Sequence, residues 1–157
     1  MNRLSALYIR RLDFAHTEAV SPDGKYDQTI SVLLRALSNL ATVGFDGSSF
    51  AVKCKNPRMS VEAKKLRLAL QDDKEWASRT INEHPKPLKD LWSEWRLAGQ
   101  VLTRETIWSD LCSHPMITIT KSEDDLLREV SKMKKSFPTP TDRYDAAGIK
   151  LDFRVTI

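Results

Sequence analysis

The sequence predicts an α+β domain in which a small mixed or antiparallel sheet packs with about five helices. Three observations lead there. Apolar residues between Asp27 and Gly44 recur at helical spacing, whereas those from Ile149 to Ile157 alternate with a period of two. The predicted helices cluster in the middle of the chain instead of alternating with strands, which argues against a doubly wound parallel sheet. The chain has 157 residues, the size of one ordinary domain, and is read as a single globular unit over 1–157.

Element by element, residues 4–20 read as extended, with Leu7 and Ile9 on one face and Leu12 and Phe14 on the other, the phase changing at Arg10-Arg11. Ser21-Pro22-Asp23-Gly24 is a turn, because proline presets φ and Asp and Gly tolerate a tight bend. A helix follows, with Asp27 as N-cap, Gly44 beyond its C-terminus, and Ile30, Leu33, Leu34, Leu37, Leu40 and Ala41 as its apolar stripe. Phe50, Val52 and Cys54 alternate with polar neighbours and predict a short strand. Ser60 caps a second helix containing Leu66, Ala69, Leu70 and Ala77, which His84-Pro85-Lys86-Pro87 breaks. A third helix carries Leu88, Leu91, Trp92 and Trp95 and ends near Gly99. A fourth begins at Thr103, with Leu102 and Ile107 spaced as a hydrophobic staple, and stops at Pro115. Met116–Thr120 reads as a strand, and Ser122 caps a fifth helix over Glu123–Ser136. Residues 138–148 form an internal connector that opens on Pro138-Thr139-Pro140-Thr141, and the alternating segment 149–157 ends the chain as a strand. Contact between the first and last strands is expected, since both ends need pairing.

Composition narrows the function classes. Apolar residues make up 41% and charged residues 29%, a globular balance. Lys and Arg total 25 against 21 Asp and Glu, a net charge of +4 that favours anionic partners. Cys54 and Cys112 form neither a disulfide framework nor a metal-spacing pair and read as free thiols in a reducing compartment. Arg10, Arg11 and Asp13 interrupt any signal-peptide run, and no stretch approaches the ~20 apolar residues of a membrane span. The expected location is therefore intracellular and soluble, cytoplasmic or nuclear.

No catalytic residue, metal ligand or cofactor is assigned. His16, His84 and His114 lie in no metal-binding spacing, and Cys112-Ser113-His114 lacks the further ligands or the orienting group that zinc or thiol chemistry needs. Asp72-Asp73 and Asp124-Asp125 are sequence neighbours that point to different helix faces. Phosphate loops and nucleophile elbows are absent, so a small-molecule substrate and an enzyme are not expected. The basic clusters carry the candidate site: Lys53, Lys55, Arg58, Lys64, Lys65 and Arg67 as one surface for phosphates, whether of nucleic acid or of lipid. Lys132, Lys134 and Lys135 complement a helix C-terminus. Trp76, Trp92, Trp95 and Trp108 sit on apolar stripes and are assigned to cores. Thr139-Pro140 matches a common phosphorylation dipeptide.

A strand, the turn Ser21-Pro22-Asp23-Gly24, and the helix bearing Leu33, Leu34, Leu37 and Leu40 together resemble the opening of the globular part of rhabdovirus-type matrix proteins. Asn56-Pro57-Arg58-Met59 is similar to an Asn-x-Arg-Met stretch in some members, and size and basic charge fit as well. The resemblance covers about a quarter of the chain. Ser60 to His114 has no counterpart, nor has a proline-tyrosine late-domain motif, to which Pro138-Thr139-Pro140-Thr141 is only faintly similar. It implies a non-enzymatic structural protein that self-associates, bridges an acidic membrane or a nucleoprotein, and resides in the virion. The alternative is a small sequence-independent nucleic-acid-binding protein or ribonucleoprotein subunit.

Overall fold

The computed structural model describes residues 6–133, 137–139 and 141–152. In chain order these form α1 (Ala6–Val20), α2 (Gln28–Val43), α3 (Ser49–Lys55), α4 (Val61–Leu70), α5 (Asp73–Ser78), β1 (Thr80–Glu83), α6 (Leu88–Ala98), α7 (Arg104–Ser113), β2 (Ile117–Thr120), α8 (Lys121–Met133) and α9 (Asp142–Ala146), with a 3-10 turn at Gly99–Val101. Of the described residues 67% are helical, and the only sheet among them has two antiparallel strands. The expected sheet with about five helices is therefore corrected to a mostly helical fold. Two compact units emerge: residues 1–47 with 86–115, and residues 48–85 with 116–157.

The first unit contains α1, α2, α6 and α7. The predicted opening strand is the helix α1. Tyr8, Leu12, Ala15 and Ala19 are spaced by four, three and four residues and face the core, so the phase change at Arg10-Arg11 belongs to a helical stripe. Leu7, Ile9 and Phe14, on which the strand rested, are exposed. Among the described residues there is then no first strand to meet the last one. The turn at Ser21–Gly24 forms as expected, the Gly24 amide donating to Ser21 O at 3.2 Å. Glycine is required there, because a Cβ would lie 1.8 Å from Glu18 O. Helix α2 keeps its predicted ends: Asp27 Oδ1 accepts from the Ile30 amide at 2.9 Å, and Gly44 closes it at φ +79°. Thr103 caps α7 by accepting from the Thr106 amide, beside the buried Leu102 and Ile107. Trp92 and Trp95 fill the core, and the Trp95 indole donates to Asp110 Oδ2 at 2.7 Å.

The second unit is organised around β2. Thr80 pairs with Thr120, and Glu83 with Ile117, across β1 and β2. Met59 bridges Thr118 in parallel, and Ser60 bridges Leu151 antiparallel, so single-residue bridges continue the pairing outward. Ile117, Ile119, Leu127, Tyr144 and Ile149 form the core. Trp76 is fully buried and its indole donates to Ala63 O at 2.9 Å.

Several predicted elements of this unit are corrected. The strand expected at Phe50–Cys54 is α3, capped by Ser48, with Val52 buried and Phe50 exposed. Six alternating residues fit either period, and the Ser48 cap decides. The second predicted helix is two helices: α4 ends at Gln71, whose φ is +53°, and Asp72 caps α5. Strand β1 lies just before the prolines, where no strand is predicted. Helix α8 is capped by Thr120, not Ser122: Thr120 Oγ1 accepts from the Glu123 amide, and the Glu123 carboxylate accepts from the Thr120 amide at 2.8 Å. Leu127 is buried, whereas Leu126 and Met133 are exposed. Helix α9 lies within the span 138–148. Ile149 is buried and Leu151 takes part in a bridge, while Phe153, Val155 and Ile157 lie outside the described residues, as do Lys134 and Lys135.

Candidate functional site

All six cations singled out from the sequence belong to the second unit. That unit carries 16 Lys and Arg against 12 Asp and Glu, whereas the first carries nine of each, so the whole net charge of +4 resides in the second.

The six do not form a uniform set. Lys53 extends from α3 to the end of α5, where its ammonium donates to Ala77 O at 2.7 Å and Thr80 O at 2.6 Å. Its pKa is lowered by burial and by the nearby Lys121. Arg67 lies 4.6 Å over the Trp76 ring, pairs with Asp73 at 3.0 Å and donates to Cys54 O at 3.4 Å. Both side chains serve as packing cations that satisfy backbone and aromatic partners. Arg58 is half-buried, and its backbone joins β2 through the Thr118 amide. That segment is fixed by buried Asn56, whose Nδ2 donates to Met116 O and Thr118 Oγ1.

Lys64 and Lys65 occupy the outer side of α4 and Lys55 the end of α3. Lys64 pairs with Asp152 at 2.5 Å and Lys65 with Glu62 at 2.8 Å, and all four side chains are largely exposed. Such pairs contribute about 0–1 kcal/mol and exchange readily for other anions. Leu68, 71% exposed, follows Lys64 by four residues and Lys65 by three, so it shares their face.

The second unit also holds a buried polar cluster that the sequence did not reveal. Glu83, at the end of β1, accepts from Arg143 and from the Tyr144 hydroxyl, both on α9. Arg143 Nη2 also donates to His84 O at 3.0 Å and Pro85 O at 3.4 Å. Burial raises the Glu83 carboxyl to about 7, against the attraction of Arg143 and Tyr144 and with a smaller push from Asp124. Burial and the Glu83 carboxylate raise Tyr144 well above a phenol's usual range. A cleft of about 260 Å³ adjoins the cluster, lined by Glu83, Asp124, Leu127, Arg128, Ser131, Lys132 and Arg143. These partners are some 60 residues apart in sequence, and no local motif announces them.

The remaining chemistry-bearing residues have local roles. Asp72 caps α5, Asp73 meets Arg67, and Asp124 meets Arg128 at 2.5 Å. His114 Nδ1 lies 2.8 Å from Asp110 O of its own helix, and burial raises the Cys112 thiol. Among the described residues no group of His, Cys, Asp and Glu is arranged to hold a metal ion, and no helix is long and apolar enough to cross a membrane. Comparison with family models, curated proteins and solved structures finds no match for the chain.

Proposed function

We propose that this chain is a non-enzymatic assembly protein whose second unit docks on an acidic membrane surface. The observation that carries the reading is the segregation of the net charge: the excess cations belong to one unit, and Lys55, Lys64 and Lys65 stand exposed there. Exposed Leu68 on the Lys64–Lys65 face gives α4 an apolar contact beside its cations, the combination that favours a lipid interface over purely polar binding. Self-association and a position on the cytoplasmic or nuclear side of a membrane, or within a virion, complete the reading. Its matrix-like form rests on the Ser21–Gly24 turn and on α2, since the segment before the turn is helical.

Nucleic acid is the alternative anion. Trp76, Trp92 and Trp95 are buried and Trp108 packs against a core, so none of the tryptophans offers a stacking platform and contact would run through backbone phosphates. Flotation with anionic and neutral vesicles, alongside titration with single- and double-stranded nucleic acid, tests the proposal. Flotation with anionic vesicles alone supports it. Binding of nucleic acid without flotation transfers the role to the alternative. Neither, together with a strictly monomeric sedimentation profile, overturns both.

A further inference from the structure

We propose that the cleft beside Arg143 is a binding site for a phosphate group, held by Arg143 with Arg128, Lys132 and the Ser131 hydroxyl. The site goes beyond the membrane-docking reading, because it uses none of the six cations on which that reading rests.

The geometry begins with Arg143. One edge of its guanidinium is committed: Nη2 donates to Glu83, His84 O and Pro85 O, which fixes the side chain against the end of β1. Its Nε is buried without a protein partner. Folded proteins seldom leave a buried donor unmatched, least of all on a charged group. Nε is shut off from solvent and Nη2 belongs to both donor forks of the guanidinium, so Arg143 offers an oxyanion in the cleft its positive charge and not a two-point hydrogen bond.

The rim supplies the rest. Arg128 and Lys132 stand one turn apart on α8 with Ser131 between them, and their side chains are 64% and 70% exposed. Lys132 is paired with Glu129, an exposed i,i+3 neighbour that costs little to release, whereas Arg128 also pairs with Asp124, whose side chain is only 15% exposed and lines the same cleft. The lining carries three cations against the carboxylates of Glu83 and Asp124, and the first of these is held by Arg143 itself. A volume of 260 Å³ lies below the usual range for drug-sized ligands, about 300–1,000 Å³, and selects a compact group. Leu127, itself buried, is the one apolar residue of the lining.

Titrating the full chain with inorganic phosphate in a phosphate-free buffer, by calorimetry and by amide NMR, tests the site. The expected result is saturable one-site binding at millimolar phosphate or below, with shifts confined to α8, α9 and the end of β1. Arg128→Gln and Lys132→Gln, both on an exposed helix face, should each weaken it, and the pair together by about tenfold. Glycerol 3-phosphate distinguishes the source: tighter binding than inorganic phosphate marks an esterified phosphate, and equal binding marks the free ion. Arg143→Lys should also weaken binding. Should that variant fail to fold, the two rim variants still decide. Absence of saturable binding, or binding that survives the double rim variant and falls only on neutralising Lys64 and Lys65, overturns the proposal. That last outcome would leave the membrane-docking reading standing.

Discussion

Replacing Lys53 by methionine separates a structural cation from a docking cation. Methionine keeps most of the aliphatic stem that extends from α3 and removes the ammonium that donates to Ala77 O and Thr80 O at 2.7 and 2.6 Å. Hydrogen bonds to a charged group contribute about 1.5–3 kcal/mol each when removed from solvent. Lys53 is only half-buried, so solvent screening reduces the gain and the pair together is worth about 2 kcal/mol. For a chain of this length each kcal/mol shifts the melting temperature by about 2–4 °C, which places Lys53→Met roughly 4–8 °C below the parent. Lys65→Met removes only an exposed pair with Glu62 and should stay within about 0.5 kcal/mol of it. Thermal and urea denaturation followed by tryptophan fluorescence reads both, since Trp76 reports on the second unit. The reasoning fails if Lys53→Met melts with the parent and instead loses anionic-vesicle binding as strongly as a Lys64, Lys65 double variant.

Further expectations follow from the same contacts. Glu83 has a folded-state pKa of about 7 against an ordinary 4.5, so the folded state retains its proton longer than the unfolded chain. The stability it contributes is full below pH 4.5 and is lost as pH rises to about 7, an effect of about 3 kcal/mol. Glu83→Gln should therefore differ from the parent by a pH-dependent amount that changes across that window, as measured by urea melts at pH 4.5 and 7.5; a constant difference would contradict it. Ser38 Oγ is buried in the first unit without a partner, so Ser38→Ala should raise stability by about 1 kcal/mol, and a loss of similar size would show that the hydroxyl is satisfied. Ile149 is buried among Ile117, Leu127 and Tyr144, and Ile149→Ala should cost about 2–5 kcal/mol. An unchanged melt would mean that this part of the chain is not core.

The parts of the fold legible in the sequence are those fixed by local chemistry. Asp27, Ser60 and Thr103 cap helices where the sequence places them, because a cap is a hydrogen bond across three residues. The long stripe of α2 is unambiguous for the same reason that α1 is not. Sixteen residues sample the helical period fully, whereas Leu7, Ile9, Leu12 and Phe14 satisfy a broken strand until Ala15 and Ala19 are counted as core. Small residues carry little hydrophobic signal, yet here they mark where the helix is covered. Strand β1 was hidden because its partner, β2, lies far along the chain and neither strand is long. The six basic residues were found as a composition, but their separation into packing and exposed cations depends on what Lys53 and Arg67 reach: a helix end and a tryptophan ring. The Glu83–Arg143–Tyr144 cluster required tertiary structure outright. One missed feature was available: Thr120-x-x-Glu123 is a capping-box spacing, and it marks the start of α8 better than Ser122 does.

The central claim is that anionic partners are met by the second unit, and a charge-matched comparison tests it most directly. One variant changes Lys55, Lys64, Lys65 and Arg58 to glutamine. The other changes Arg10, Lys25, Arg35 and Lys89, all exposed in the first unit, so both variants lose the same four charges. Binding to anionic vesicles is measured for each across a salt series. The account predicts that the first variant loses binding and its salt dependence, while the second keeps both close to the parent. Equal losses would show that net charge alone governs binding, and a greater loss in the second variant would place the contact in the other unit.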